Sequence, residues 1–288
     1  MSYRSIFRPD AFAGQTIVVT GGGSGIGRCT ASELASLGAH VVLVGRKLEK
    51  LEKVQAELRE DGYESSAYTC DIRDEAAVRE MVKKIVADRG RIHGLVNNAG
   101  GQFPSPLQLI TQKGFETVVR TNLVGGFLVA REIYAQSMQA NGGAIVNIVA
   151  DIWRGMPGMG HSGAARAGMV NLTETMAVEW ASSGIRINAV APGWIASSGM
   201  DNYEGPITAI IPKLKESLPA RRMGTESEVS AAICFLLSEA AAFVTGVTLR
   251  VDGGAPLHSP IFPTPEHDRL KPYNGFHRAA LPEILKEK

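Results

Sequence analysis

The chain is poor in several things, and each shortage removes a class of protein. Charged residues make up 20% of it, with 30 Lys and Arg against 29 Asp and Glu and a net charge of +1. That balance supplies neither the basic field that holds a nucleic acid nor a surplus that seeks an oppositely charged partner. Its three cysteines, Cys29, Cys70 and Cys234, are odd in number and far apart. They argue against a disulfide framework and suit a reducing compartment, with Cys29 and Cys234 filling core space in helix-like runs. No run approaches the roughly 20 apolar residues of a membrane span. The first residues, MSYRSIFRPDAF, hold no apolar signal core, and Lys-Glu-Lys at the other end is not a peroxisomal address of the Ser-Lys-Leu type. The histidines and cysteines show no metal-ligand spacing. The expectation is a cytoplasmic protein without metal, membrane or nucleic-acid partners.

What is present is an alternation. A chain of 288 residues can bury a large core as one α/β domain. Short β-branched runs at 16–20, 41–44, 66–69, 94–96, 144–148, 186–190 and 248–251 read as strands. Between them, helical patterns occupy 48–58, 75–87, 115–138, 165–181 and 226–237. This order predicts a doubly wound parallel sheet with helices on both faces. Residues 194–224 break the alternation with an apolar middle (Ile207, Ile210, Ile211, Leu214) and a basic exit at Arg221 and Arg222. They read as a lid after the sixth strand, over the carboxyl ends where open α/β sheets bind ligands. The tail at 255–288 holds Pro256, Pro260, Pro263, Pro265 and Pro272, yet it is too apolar for a free linker. It is expected to pack on the body or on a neighbouring subunit.

Thr20-Gly21-Gly22-Gly23-Ser24-Gly25-Ile26-Gly27 follows the first strand and opens a helix. Such a loop lets the backbone approach a pyrophosphate, with free helix amides to receive it, although a tight strand–helix turn alone would also need the glycines. Asn97-Asn98-Ala99-Gly100 then follows the fourth strand, Asn122 lies in the next helix, and Pro192-Gly193 follows the sixth strand. In this order and spacing the chain resembles the short-chain dehydrogenase/reductases over residues 14–254. The resemblance implies a single Rossmann-like domain over 1–288 that binds a nicotinamide dinucleotide. It places Gly21, Gly23, Ser24, Gly25, Ile26, Gly27, Asp71 and Ile72 on the adenosine and pyrophosphate side. Asn98, Ala99, Gly100, Arg166, Pro192, Gly193, Ile195 and Ser197 fall on the nicotinamide side.

The end of the second strand carries cofactor selectivity. NAD-binding chains place an acid there, about 20 residues beyond the glycines. This chain has Gly45-Arg46-Lys47. A guanidinium binds a 2′-phosphate that a carboxylate would repel, so NADPH is expected, the alternative being that Arg46 and Lys47 merely start a solvated helix face.

The catalytic segment departs from the family. In Gly160-His161-Ser162-Gly163-Ala164-Ala165-Arg166-Ala167-Gly168, Ser162 stands at the position of the usual tyrosine and Arg166 at that of the usual lysine. The upstream serine position falls at Val149 or Ala150. A serine hydroxyl is a poor acid, and an arginine with a pKa above about 12 does not pass protons. Carbonyl reduction is badly served by this pair. Reduction of an activated C=C bond needs only donors to an enolate oxygen, and Ser162, Arg166 and Asn122 could provide them while water protonates carbon.

Asn97–Phe103, His161–Gly168, Asn171-Leu172-Thr173, Asn202-Tyr203 and Pro265-Glu266-His267-Asp268 resemble the peroxisomal trans-2-enoyl-CoA reductase branch. The 2,4-dienoyl-CoA reductases also place serine at the tyrosine position, but keep lysine where this chain has Arg166. Their separate upstream tyrosine falls here near Asp151, with Trp153 the nearest aromatic residue. The resemblance implies an acyl-CoA thioester substrate and a homotetramer paired through the 115–138 and 165–181 helices. Two alternatives stand beside it: an alcohol or aldehyde dehydrogenase of the citronellol/citronellal type, and a catalytically inactive NADPH-binding protein. His161 reads as a packing residue beside the site, Tyr203 as a lid aromatic lining the acyl pocket or a substitute acid, and Asp252 as structural. Arg154, Lys213, Lys215, Arg221 and Arg222 either meet the phosphates of coenzyme A or form a solvated face.

Overall fold

Parallel strands covered on both faces need nearly continuous β-branched runs. Ile17, Val18 and Val19 of β1 (Thr16–Thr20) and Val41, Val42, Leu43 and Val44 of β2 (His40–Gly45) are all fully buried. They form the middle of a seven-stranded sheet completed by β3 (Ser65–Thr69), β4 (Gly94–Asn97), β5 (Gly143–Ile148), β6 (Ile185–Pro192) and β7 (Thr248–Val251). The order is β3-β2-β1-β4-β5-β6-β7 and every pairing is parallel. The strand order reverses between β1 and β4, so the ligand crevice opens at that switch point. This computed structural model describes residues 2–286 apart from Pro206 and Pro260. Met1, Pro206 of the lid, Pro260 of the tail, Glu287 and Lys288 thus lie outside the described residues.

The helices are α1 (Gly25–Ser36), α2 (Leu48–Glu60), α3 (Glu75–Arg89), α4 (Gln112–Val119), α5 (Gly126–Ile133), α6 (Gln139–Asn141), α7 (Gly160–Glu179), α8 (Ile207–Ile210) and α9 (Glu226–Leu237). Local chemistry fixes several starts. Asp74 accepts from Ala77 N to cap α3, and Thr225 and Glu228 form a reciprocal capping box on α9. The single helix expected at 115–138 is helical throughout but interrupted by π-turns at Arg120–Gly125 and Tyr134–Met138. A π-turn inserts one residue and re-aims the side chains around it. The first holds Asn122.

The tail packs on its own body. Arg4 N donates to Gly275 O at 2.9 Å, Tyr3 stacks on Phe276 with centroids 5.9 Å apart, and Arg278 pairs with Asp61 at 2.7 Å. It also fastens the lid. His267 Nε2 meets Pro219 O at 2.9 Å, Ile284 N donates to Asp201 Oδ1 at 3.1 Å, and Ile284 and Leu285 pack on buried Met200, Ile211 and Leu214. Arg221 reaches Glu216 O, Thr264 O and Glu266; Arg222 reaches Glu228 and Leu270 O. Both guanidiniums, read as meeting coenzyme A phosphates or forming a solvated face, are instead committed to holding the tail against the lid.

Candidate active site

The glycine loop has the shape a pyrophosphate needs. Gly21 has φ +68° and Gly25 φ +56°, a region where side chains are strained. A Cβ on Gly27 would stand 2.4 Å from Gly21 O. Ser24, the N-cap of α1, makes no side-chain cap, and the first turn holds no acid, so orphan amides face the crevice. Thr20 Oγ1 accepts from Asn98 N and Ala99 N at 2.9 Å each, while Asn98 Nδ2 donates to Thr20 O at 2.9 Å. The Asn98 side chain therefore braces the loop from behind. The residues fit a dinucleotide.

At the adenosine end, Arg46 and Lys47 are exposed after β2. Lys50, which the sequence reading passed over, lies with its Cβ 3.0 Å from where a Cβ on Gly23 would sit. Arg73 forks Asp71 at 2.5–3.1 Å, and this pairing holds the Asp71 carboxyl down at about 2. Ile72 is buried against Gly125.

Glu226, in the first turn of α9, faces Gly25 and is pushed up to about 7 by burial, with Arg28 opposing. The folded protein thus holds a proton that the unfolded chain releases around the ordinary 4.5. Stability contributed here falls as pH rises between those values. Glu226→Gln should stabilise the protein by about 1–3 kcal/mol at about pH 8 and by nothing at about pH 4. Denaturant midpoints of both proteins across pH check it.

At the nicotinamide end, α7 places Ser162 and Arg166 one turn apart, both buried. Arg166 Nη1 donates to Ile148 O at 2.5 Å, while its buried Nε has no partner among the described residues. Burial lowers the guanidinium to about 10, so it stays charged at neutral pH. A Cβ on Gly100 would fall 2.6 Å from Arg166 Nη2 and 3.0 Å from Asn122 Oδ1, which explains the glycine. Pro192-Gly193 packs on Asp252, whose Cα would lie 2.8 Å from a Cβ on Gly193. Ile195 is buried against Gly224, and Ser197 leads into the lid's first turn.

Asn122 is clamped rather than free. Its Oδ1 accepts from Gly101 N at 2.8 Å, and its Nδ2 donates to Gly101 O at 3.0 Å and to Ser162 Oγ at 3.5 Å. Ser162 Oγ donates to Gln102 Oε1 at 2.7 Å, and Gln102 Nε2 donates to Tyr203 Oη at 3.0 Å. Gln102 was not singled out as a site residue; its role depends on contacts between distant segments that spacing does not show. His161 is fully buried, accepts from Ser162 N through Nδ1 at 2.9 Å and lies edge-on to Phe103. The upstream serine position is apolar at either candidate, Val149 or Ala150, and Asp151 is raised above the usual carboxylate range by burial. Beside this cluster, Phe103 lies against His161 and Leu107 against Gly160, and both remain exposed.

A family model described as Enoyl-(Acyl carrier protein) reductase matches residues 21–256. The chain is a short-chain dehydrogenase/reductase. A probable 2,4-dienoyl-CoA reductase of Bacillus subtilis (strain 168) is 36% identical over 246 residues, covering 83% of this chain and 96% of that protein. The peroxisomal 2,4-dienoyl-CoA reductase of Danio rerio is 36% identical over 261 residues, 89% of this chain and 86% of that one. Among solved structures, a citronellol catabolism dehydrogenase of Pseudomonas aeruginosa PAO1 is 65% identical, with a TM-score of 0.80 over 88% of this chain and 99% of that one. As a short-chain dehydrogenase/reductase the protein is an oxidoreductase using a nicotinamide dinucleotide, and the reading as an inactive binder is set aside. Among the described residues, no helix is long and apolar enough to cross a membrane, and no cluster could hold a metal.

Proposed function

We propose that the protein is an NADPH-dependent reductase of the C=C bond of a 2-enoyl thioester, an acyl-CoA. The observation that carries this is the catalytic slot, where buried Ser162 replaces a phenol and Arg166 keeps a fixed positive charge. When bound, the cofactor supplies a hydride. Arg166, with Nε unpartnered, would hold the nicotinamide ribose, and the cluster around Ser162 would hold the thioester oxygen with hydrogen bonds. Neither residue has to give up a proton. The α-carbon takes its proton from water, and exposed Phe103 and Leu107, beside His161 and Gly160, receive the acyl chain. Residues 14–254 form the dinucleotide-binding core, 194–224 the substrate lid and 255–288 its fastening.

NADPH is favoured by the exposed Arg46 and Lys47 just after β2, where no acid stands to repel a 2′-phosphate, and by Lys50 beside Gly23. Arg46→Asp should weaken NADPH tenfold or more, the worth of one charged hydrogen bond at about 1.5–3 kcal/mol, and leave NADH equal or better. Fluorescence titration with both cofactors checks this; equal affinities in the unaltered protein would refute the assignment. The working form is a homotetramer, supported by exposed Phe115 and Val124 on one side and Val178, Phe243 and Val247 on another. Its compartment is the cytoplasm, where the buried, unpaired Cys29, Cys70 and Cys234 stay reduced.

The deciding assay follows NADPH oxidation with crotonyl-CoA, longer 2-enoyl-CoAs and a 2,4-dienoyl-CoA, beside citronellol with NADP. Turnover of the thioesters supports the reading. A second reading, alcohol dehydrogenation, draws on the printed name of the 65% identical relative. Efficient citronellol oxidation with every thioester ignored would establish it instead.

A further inference from the structure

The phenol that position 162 lacks is present on the opposite side of the site. We infer that Tyr203, carried by the lid, donates the hydrogen bond to the substrate's carbonyl oxygen, and that Gln102 positions it. This inference rests on the enoyl-reductase reading above.

The direction of the hydrogen bonds starts from a donor that cannot reverse, a backbone N–H. Gly101 N–H donates to Asn122 Oδ1 at 2.8 Å, which makes the other side of that amide the donor to Ser162 Oγ at 3.5 Å. Ser162 in turn gives its proton to Gln102 Oε1 at 2.7 Å, the one hydrogen bond it donates among the described residues. The far end of the Gln102 amide is then a donor, and it reaches Tyr203 Oη at 3.0 Å. All these bonds point the same way. The phenol O–H at the end has no acceptor among the described residues, so its proton is free for a ligand. A one-way chain polarises each member in turn and strengthens the last donor. Burial agrees: Ser162 is 0% exposed, whereas Tyr203 is part-exposed and reaches in from the lid.

An amide between two hydroxyls offers an acceptor to one and a donor to the other, so one hydroxyl always keeps a free proton. With Gln102 Oε1 toward Ser162 and Nε2 toward Tyr203, the hydroxyl that keeps its proton is Tyr203. As hydride reaches the β-carbon, the C=C π pair becomes a new bond between the α-carbon and the carbonyl carbon, and the C=O π pair moves onto the thioester oxygen, where the Tyr203 O–H stabilises the charge without leaving its own oxygen. Water then protonates the α-carbon and the C=O re-forms, so each double bond consumes one hydride and one proton.

The test compares Tyr203→Phe, Ser162→Ala and Gln102→Glu with the unaltered protein in NADPH-dependent reduction of crotonyl-CoA and a longer enoyl-CoA. Tyr203→Phe should lose roughly a hundredfold to a thousandfold in kcat, with KM and the NADPH affinity read by fluorescence little changed. Ser162→Ala should lose about tenfold or less, since it acts through Gln102. Gln102→Glu adds a readout that packing alone would not move. Its carboxylate accepts from both hydroxyls and captures the phenol proton, so activity should fall at neutral pH and recover as pH is lowered and the glutamate protonates. Near-wild-type kcat in Tyr203→Phe, or a Gln102→Glu profile that parallels the unaltered one, overturns the inference while leaving the reductase reading intact. Failure of the unaltered protein to reduce any enoyl-CoA overturns both. Should Tyr203→Phe not fold, the two-pH comparison of Gln102→Glu decides.

Discussion

Gly27→Ala should yield a folded protein that has lost its dinucleotide. The added Cβ would stand 2.4 Å from Gly21 O and 2.5 Å from Asn98 Nδ2, one a backbone atom and the other held by Thr20 O. Neither gives way cheaply. Relief requires the loop to lift from α1, which moves the amides that would face the pyrophosphate and loosens the brace from Asn98. Overpacking of this kind costs about 1–3 kcal/mol, and in a chain of this size each kcal/mol lowers Tm by roughly 2–4 °C. NADPH affinity should fall at least a hundredfold, on the order of two lost charged hydrogen bonds. Fluorescence titration and a thermal melt read the two effects separately, and unchanged affinity would show that the loop does not hold the cofactor.

Arg166→Ala should weaken cofactor binding and turnover together. Its guanidinium ties Ile148 O, packs under Gly100 and leaves Nε for a ligand, so removal strips the nicotinamide side of its charge and orphans a buried carbonyl. A hydrogen bond to a charged group is worth about 1.5–3 kcal/mol, so NADPH affinity should drop roughly tenfold to a hundredfold. Turnover should fall further, because Gly100 loses the guanidinium it packs against. Wild-type affinity paired with full activity would remove Arg166 from the site.

Much of this architecture can be read in the residues, and the physical reason is periodicity. The buried β-branched runs of β1, β2 and β5 mark their strands almost to the residue. The capping box of Thr225 and Glu228 marks the start of α9. The π-turn at Asn122 escapes notice because a single inserted residue barely disturbs an averaged apolar pattern over 115–138. Gln102 escapes for another reason. It belongs to a loop without periodicity, and its two partners lie 60 and 101 residues away. The tail's hold on the lid is equally silent, since it depends on carbonyls such as Leu270 O and Pro219 O that every residue carries.

The strap formed after β7 also imposes a timetable on the newborn chain. The cofactor half already leans on late residues, since α1 packs on α9 and Arg278 of the tail pairs with Asp61. The substrate half waits for residues 264–285 to be synthesised and docked, because they supply the partners of Arg221, Arg222, Asp201 and Pro219. Both halves therefore reach their final packing only once the strap has been made.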